Sequence, residues 1–272
     1  MTARYTPYEL GFAGTPFESQ AFPAIEEEAK ARGLDPLRRE EFTLIASVGA
    51  ALQDLVPDDS PPDRLDRYAD LLYHAFHFWR AGRTTYAFDE RVVRFWLEAR
   101  PEVAGSAARP PRPALYLQWP RNLFWATVSE GTPPEPVDGF FLVARETAIE
   151  GRAFTQIAAL MAVGLRPGRA GFATIPFRCG VDAAGVPLDA EWMFRSELPG
   201  SDLAGIYALE RLPEAVRLVE AALWYVDRYP ESVRRVSGAT TVESGPAALQ
   251  GPTGLDHFEV TLYPSVPREG GP

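Results

Sequence analysis

Acidic and histidine side chains recur along one predicted helix, residues 63–80, at spacings that could bring them together. They are Asp63, Asp66, Asp70, His74 and His77. Asp70 and His74 are four residues apart and His74 and His77 are three apart, so neighbouring side chains can reach a common point. Imidazole nitrogens and a carboxylate suit a divalent metal, with His257 as a further ligand. The pattern therefore raises the hypothesis of a metal site at Asp70, His74 and His77.

The same residues also fit a helix face that only meets solvent. Asp70 could accept a hydrogen bond from His74 without a metal, a local pairing of ordinary kind. The glutamate that zinc proteases place between their two histidines is missing here. We favour the solvated face, and keep a metal- or carboxylate-dependent hydrolase as the alternative.

A second candidate is an aromatic segment, residues 116–125, which interleaves rings with polar side chains. Its candidate binding residues are Trp119, Arg121, Asn122 and Trp125. Tryptophan and arginine are enriched at recognition surfaces. A packed sheet core has the same aromatic content, and burial tendencies favour that interpretation, including for Trp125.

Other possible chemistry is weaker. The loop at 130–139 holds Glu130, Glu135 and Asp138, which could divide acid and base roles, but Asp138-Gly139 is also an ordinary turn signal before a strand. Cys179 follows a predicted strand and reads as a buried thiol. Walker A, G-x-G-x-x-G and G-x-S-x-G patterns do not occur in the sequence. No cofactor follows from any of these patterns.

The elements that must position these residues divide the chain in two. Residues 1–100 are predicted to form a helical subdomain with an aromatic N-terminal arm, and 101–113 a proline-rich connector. Apolar residues at helical spacing predict helices over 22–32, 36–56, 63–80 and 89–99. Residues 114–263 are predicted to hold an antiparallel sheet and one long helix.

Alternating apolar residues predict strands in that second part. The predicted strands cover 114–118, 123–128, 139–144, 154–165, 170–177 and 258–263, and the helix covers 213–229. Short connections favour antiparallel pairing, above all between the two strands that Arg166-Pro167-Gly168-Arg169 joins. Residues 238–255 lack periodicity and predict a mobile loop, and 264–272 predict a disordered tail. The fold class is therefore α+β, a helical N-terminal part packed against a mainly antiparallel sheet.

Composition limits the class of protein further. The chain has 272 residues, 46% of them hydrophobic, which is enough for a packed core. Its net charge of −10 argues against non-specific nucleic-acid binding. One cysteine excludes an internal disulfide, and the sequence shows no signal peptide or membrane span, so we expect a cytoplasmic protein. Lys30 is the single lysine beside 26 arginines, a bias typical of a GC-rich, bacterial-like coding background.

These observations lead to a functional hypothesis. We expect a non-enzymatic binding or interaction protein whose partner is a protein or a small molecule, because aromatic and arginine candidates are present without a complete catalytic signature. The sequence leaves the oligomeric state open.

Overall fold

The structure, a computed structural model, describes most of the chain. The described residues are 6–58, 60, 65–99, 109–120, 122–128, 132–149, 152–165, 173–182, 212–238 and 255–263. Most of the predicted loop at 238–255, the tail at 264–272 and residues 101–108 of the connector lie outside these ranges. Within them, no helix is long and apolar enough to cross a membrane. The cytoplasmic location stays a prediction.

Helices fill the N-terminal part, as the apolar spacing predicts. They are α1 (Pro7–Gly11), a π-helical turn (Phe17–Ala21), α2 (Phe22–Arg32), α3 (Arg39–Phe42), α4 (Ala46–Leu55), α5 (Leu65–Arg80) and α6 (Glu90–Ala99). Gly33 ends α2 with a φ of 66°, a left-handed conformation that glycine adopts without steric cost.

The prediction of one continuous helix over 36–56 is wrong, because the helical conformation is interrupted between α3 and α4. Ile45 there is extended and offers no side-chain cap. Glu28 of α2 supplies the cap instead, since its carboxylate accepts the backbone N–H groups of Ala46 and Ser47, each at 2.9 Å. This contact ties the start of α4 to α2, and no local sequence signal reveals it.

Eight strands form one mixed sheet. They are β1 (Thr85–Phe88), β2 (Ala114–Gln118), β3 (Trp125–Ala126), β4 (Glu135–Ile149), β5 (Arg152–Val163), β6 (Ala173–Asp182), β7 (Val233–Val236) and β8 (His257–Val260), with α7 (Leu212–Arg228) between β6 and β7. The order is β6-β5-β4-β2-β1-β8-β7, and β3 pairs with β4. Most pairs are antiparallel, including the predicted β5–β6 pair, but β1 lies parallel to both β2 and β8.

The strand β1 was missed because it lies between two helices and all four of its residues are buried. A fully buried strand shows no alternation of apolar and polar residues, so its pattern cannot be told from a helix segment. The strand β1 belongs to the predicted helical part, before the connector, and it pairs with β2, which comes after the connector. The two predicted parts therefore share one sheet. The division into two subdomains stays a prediction.

Helices cover both faces of the sheet, so the molecule has three layers. On one face the N-terminal helices pack on β2, β4 and β5 around rings such as Tyr8, Phe76 and Phe141. On the other face α6 and α7 pack around Trp96, Trp119 and other apolar side chains. The fold class α+β is confirmed, and the sheet is mixed but mostly antiparallel.

Several strand boundaries differ from the prediction, and two of them have a clear local context. The strand predicted over 123–128 shrinks to β3, and β4 begins at Glu135 rather than at Gly139. Asp138 is therefore a buried strand residue at a register shift, not a surface turn; its Oδ2 accepts the Leu165 backbone N–H at 2.9 Å. A Cβ at Gly139 would lie 2.2 Å from the Leu117 carbonyl oxygen, so the close strand approach requires glycine.

Candidate functional site

The two helix histidines are buried, so the prediction that they lie on a solvated helix face is wrong. His74 and His77 of α5 are 3% and 2% exposed. His74 Nδ1 lies 2.7 Å from the carbonyl oxygen of Asp70, and His77 Nε2 lies 2.9 Å from that of Pro36. A carbonyl oxygen only accepts, so these two nitrogens carry the protons.

Burial decides the charge state of both histidines. It lowers the pKa of His74, and it lowers the pKa of His77 to about 3, because a charged ring loses its hydration inside the protein. His74 Nε2 faces the backbone of Ala158 without a hydrogen bond of normal geometry. Both rings are therefore neutral structural links between α5 and its surroundings.

The predicted metal ligands do not share one point. The carboxylate of Asp70 bonds to Arg39, whose Nε lies 3.0 Å from Oδ1. His257 lies on β8, with Nδ1 3.3 Å from the carbonyl oxygen of Leu255. Among the described residues, no three His, Cys, Asp or Glu side chains are placed to hold a metal ion. Geometry thus gives the metal hypothesis at Asp70, His74 and His77 no support.

The aromatic segment does not gather its predicted binding residues either. Trp119 is 1% exposed and contacts Phe88 and Trp96 in the core. Trp125 is 40% exposed on β3, contrary to the core interpretation we favoured for it. Asn122 is exposed with a φ of 68°, and Arg121 lies outside the described residues.

A cleft of about 260 Å³ opens elsewhere, between the helices α3 and α5 and the outer strands β4, β5 and β6. Its polar lining consists of Arg39, Glu40, Asp70, Tyr73, His74, Arg145, Gln156 and Arg178. Its apolar lining consists of Leu37, Val143, Ala158, Ala159, Pro176 and Phe177. Arginines thus enter it from three separate elements.

Strand register explains why the sheet residues meet. Arg145 of β4 lies directly opposite Gln156 of β5, and Arg178 of β6 lies opposite Ala158 of β5. Alternation places residues two apart on one sheet face, so these side chains all point toward the N-terminal helices. The Arg145 Nη2 donates to Gln156 Oε1 at 2.8 Å, which fixes one edge of the guanidinium.

The third arginine, Arg39 of the helix α3, lies over the ring of Tyr73 of α5. The guanidinium carbon of Arg39 lies 5.9 Å from the centre of the Tyr73 ring, a favourable cation–π distance. The Tyr73 hydroxyl donates to the carbonyl oxygen of Leu37 at 2.8 Å. Burial raises the pKa of Tyr73, and the nearby charges of Arg145, Arg39 and Arg178 oppose that rise. All three arginines are therefore within electrostatic range of one hydroxyl.

The described residues that line the cleft include more arginines than carboxylates. Burial lowers the pKa of Arg178, an effect that Glu40 and Asp70 oppose and Arg145 reinforces. A guanidinium nevertheless stays protonated in proteins, so the described part of the lining holds three cations and two carboxylates. Such a site, partly withdrawn from water, attracts an anion.

Sequence reasoning missed Arg145, Gln156 and Arg178. A signal existed, because Arg145 and Arg178 interrupt apolar strands near positions that alternation turns inward. Their meeting depends on the register of three strands, and register is a tertiary property that composition does not fix.

Comparisons with known proteins identify the chain with no family. No family model and no curated protein matches it. Among solved structures it is similar to the crystal structure of AcrVA2, with 10% sequence identity and a TM-score of 0.45. That similarity covers 93% of this chain and 81% of the other.

Proposed function

We propose that this protein binds a small organic anion in the cleft between α3, α5 and the strands β4–β6. The observation that carries the proposal is the convergence of Arg39, Arg145 and Arg178 from three elements on one cavity. Placing like charges together costs free energy in the unliganded protein, and a bound anion offsets that cost.

Binding rather than catalysis is the function that these side chains favour. Guanidinium groups hold carboxylates and phosphates through paired N–H donors, but they do not exchange protons near neutral pH. The two neutral histidines are held by carbonyl oxygens, which suits a structural role better than proton transfer. A concave site that combines apolar walls with positioned polar groups is the usual form of a ligand pocket.

Thermal melts with simple anions test the proposal. We expect benzoate, citrate or inorganic phosphate to raise the midpoint of the wild-type protein above the effect of chloride at equal ionic strength, since a ligand that binds the native state stabilises it. The double variant Arg145→Gln, Arg178→Gln should lose the response. Arg94→Gln, an exposed arginine of α6 paired with Glu90, is the matched control and should keep it. An identical response in the cleft variant, or none beyond chloride in wild type, would refute the proposal.

A further inference from the structure

We infer that Arg145 is the residue that pairs with the anionic group of the ligand, and that this group is an oxyanion presenting two oxygen atoms to one guanidinium. This inference rests on the proposed function and assigns the anion to one of the three arginines of the cleft. It follows from the contacts that each guanidinium already makes within the protein.

The other two arginines of the cleft lie close to carboxylates of the protein. Arg39 donates from Nε to Oδ1 of Asp70 at 3.0 Å. Arg178 has an interaction of its own. Glu40 and Asp70 oppose the drop that burial causes in the pKa of Arg178, so both carboxylates lie within electrostatic range of its guanidinium. An anion must compete with these carboxylates for either arginine.

Arg145 differs, because no carboxylate of the described residues pairs with it. Its Nη2 donates to the neutral Oε1 of Gln156 at 2.8 Å. Most arginines that the structure describes outside the cleft form ion pairs, as Arg80 does with Glu26 at 3.0 Å. A guanidinium has five N–H donors, and the bond to Gln156 uses one of them. Arg145 therefore keeps donors for an anion that no described carboxylate takes.

The guanidinium of Arg145 projects into the cleft toward its helix wall. Arg145 lies opposite Gln156 on the sheet face that packs against the N-terminal helices, and both side chains line the cavity. Burial raises the pKa of Tyr73 on the other wall, and Arg145 opposes that rise more than any other charge does. The cavity between these walls thus begins at the donors of Arg145.

The chemistry of a guanidinium sets the class of anion. A carboxylate or a phosphate accepts two N–H bonds from one guanidinium, which adds both energy and directional selectivity to the ion pair. A halide ion has a single centre and cannot make this paired contact. The bond to Gln156 makes that residue a positioning residue, since it restricts the rotation of the guanidinium.

Single substitutions at Arg145 test the assignment. Benzoate and inorganic phosphate are titrated separately by calorimetry at constant ionic strength. Arg145→Gln should weaken the binding of whichever probe binds wild type at least about tenfold, since it removes charge-assisted hydrogen bonds. Arg145→Lys keeps the charge but loses the paired donors, so it should recover only part of the affinity. Arg178→Gln should have a smaller effect than Arg145→Gln, and the control Arg94→Gln none.

Gln156→Glu tests the same contact from the other side. The substitution places a carboxylate beside Arg145 with little change of side-chain shape, so it should compete with the anion and weaken binding at least about tenfold. A circular dichroism melt of each variant confirms its fold. Full affinity in Arg145→Lys, or a larger loss in Arg178→Gln than in Arg145→Gln, would overturn the assignment.

Two outcomes separate this inference from the proposed function. If Arg145→Gln keeps the wild-type affinity while the double variant Arg145→Gln, Arg178→Gln loses it, the assignment to Arg145 falls and the anion cleft stands. If the double variant also keeps the affinity, or if wild type binds neither probe, both fall.

Discussion

Both faces of the sheet bury many aromatic side chains, but the rings pack differently on the two faces. Under α6 and α7 the rings of Phe88, Trp96 and Trp119 contact each other with centroids 4.9–6.0 Å apart. Under α5 the rings are joined by two buried histidines, and beyond them the layer opens into the arginine cleft. Apolar side chains fill the α6–α7 face, which we call the closed face, whereas the α5 face ends in a cleft lined by arginines and carboxylates. The comparison predicts that a ligand binds in this cleft and not on the closed face.

The largest expected effect is a loss of stability when a buried side chain of the closed face is removed. Trp119→Ala should cost about 3–5 kcal/mol in the free energy of unfolding, because it removes a fully buried indole and leaves a cavity. Chemical denaturation measures this change. A loss below about 1 kcal/mol would show that the α6–α7 face is not the tightly packed one.

The buried histidines make the stability of the α5 face depend on pH. Burial holds the pKa of His77 at about 3, below the ordinary value of 6.5 in the unfolded chain. Its contribution is complete above about pH 6.5 and is lost as the pH falls toward 3, since the unfolded chain then binds a proton that the folded protein does not. Between pH 7 and pH 5 we expect His77 to account for a loss of about 2 kcal/mol.

The variant His77→Gln isolates that contribution, because its amide can still donate to the Pro36 carbonyl oxygen. Denaturation at pH 7 and pH 5 should show a smaller loss in the variant than in the wild type. Equal losses in the two proteins would mean that His77 is accessible to protons in the folded state.

A smaller effect sharpens the role of the open face. Asp70→Asn removes the carboxylate that balances Arg39, a pair whose side chains are each about one-fifth exposed. We expect stability to fall by less than about 1 kcal/mol, because solvent screens such pairs. The affinity for inorganic phosphate should rise at the same time, since the substitution removes a negative charge from the cleft lining. Calorimetry would contradict the charge argument if the affinity fell or stayed constant.

The smallest effect lies at the edge of the sheet. Trp125 is 40% exposed on the two-residue strand β3. Trp125→Ala should change the free energy of unfolding by no more than about 0.5 kcal/mol, the usual range for surface positions. A cost like that of Trp119→Ala would place Trp125 in the core after all.

Periodicity predicted the long elements well, because their apolar faces are regular over many residues. The sequence indicates α2 and β2 with the bounds that the structure has, and α5, α6 and α7 to within two residues at each described end. It missed β7, and it missed β1, whose four buried residues show no alternation of apolar and polar side chains. The sequence also predicted Trp125 as buried and His77 as exposed, and the structure shows the reverse. The burial of a single side chain depends on which residues pack over it, and local sequence does not determine that.

The site was less predictable than the fold. Asp70 and His74 were predicted as metal ligands, and both line the cleft. The arginines beside them were not predicted as site residues. Arg145, Gln156 and Arg178 come from three strands, and only register places them on one face. A charged residue inside an apolar strand is the signal that could have pointed to them.

Nitrogen NMR of the arginine side chains tests the anion cleft most directly. The Nε–H resonances of Arg145, Arg178 and the control Arg94 are followed while benzoate, and separately inorganic phosphate, is titrated at constant ionic strength. The anion cleft predicts that at least one of the two probes shifts the Arg145 and Arg178 resonances to saturation and leaves Arg94 in place. Equal, unsaturated shifts of all three resonances, or no shift with either probe, would contradict it.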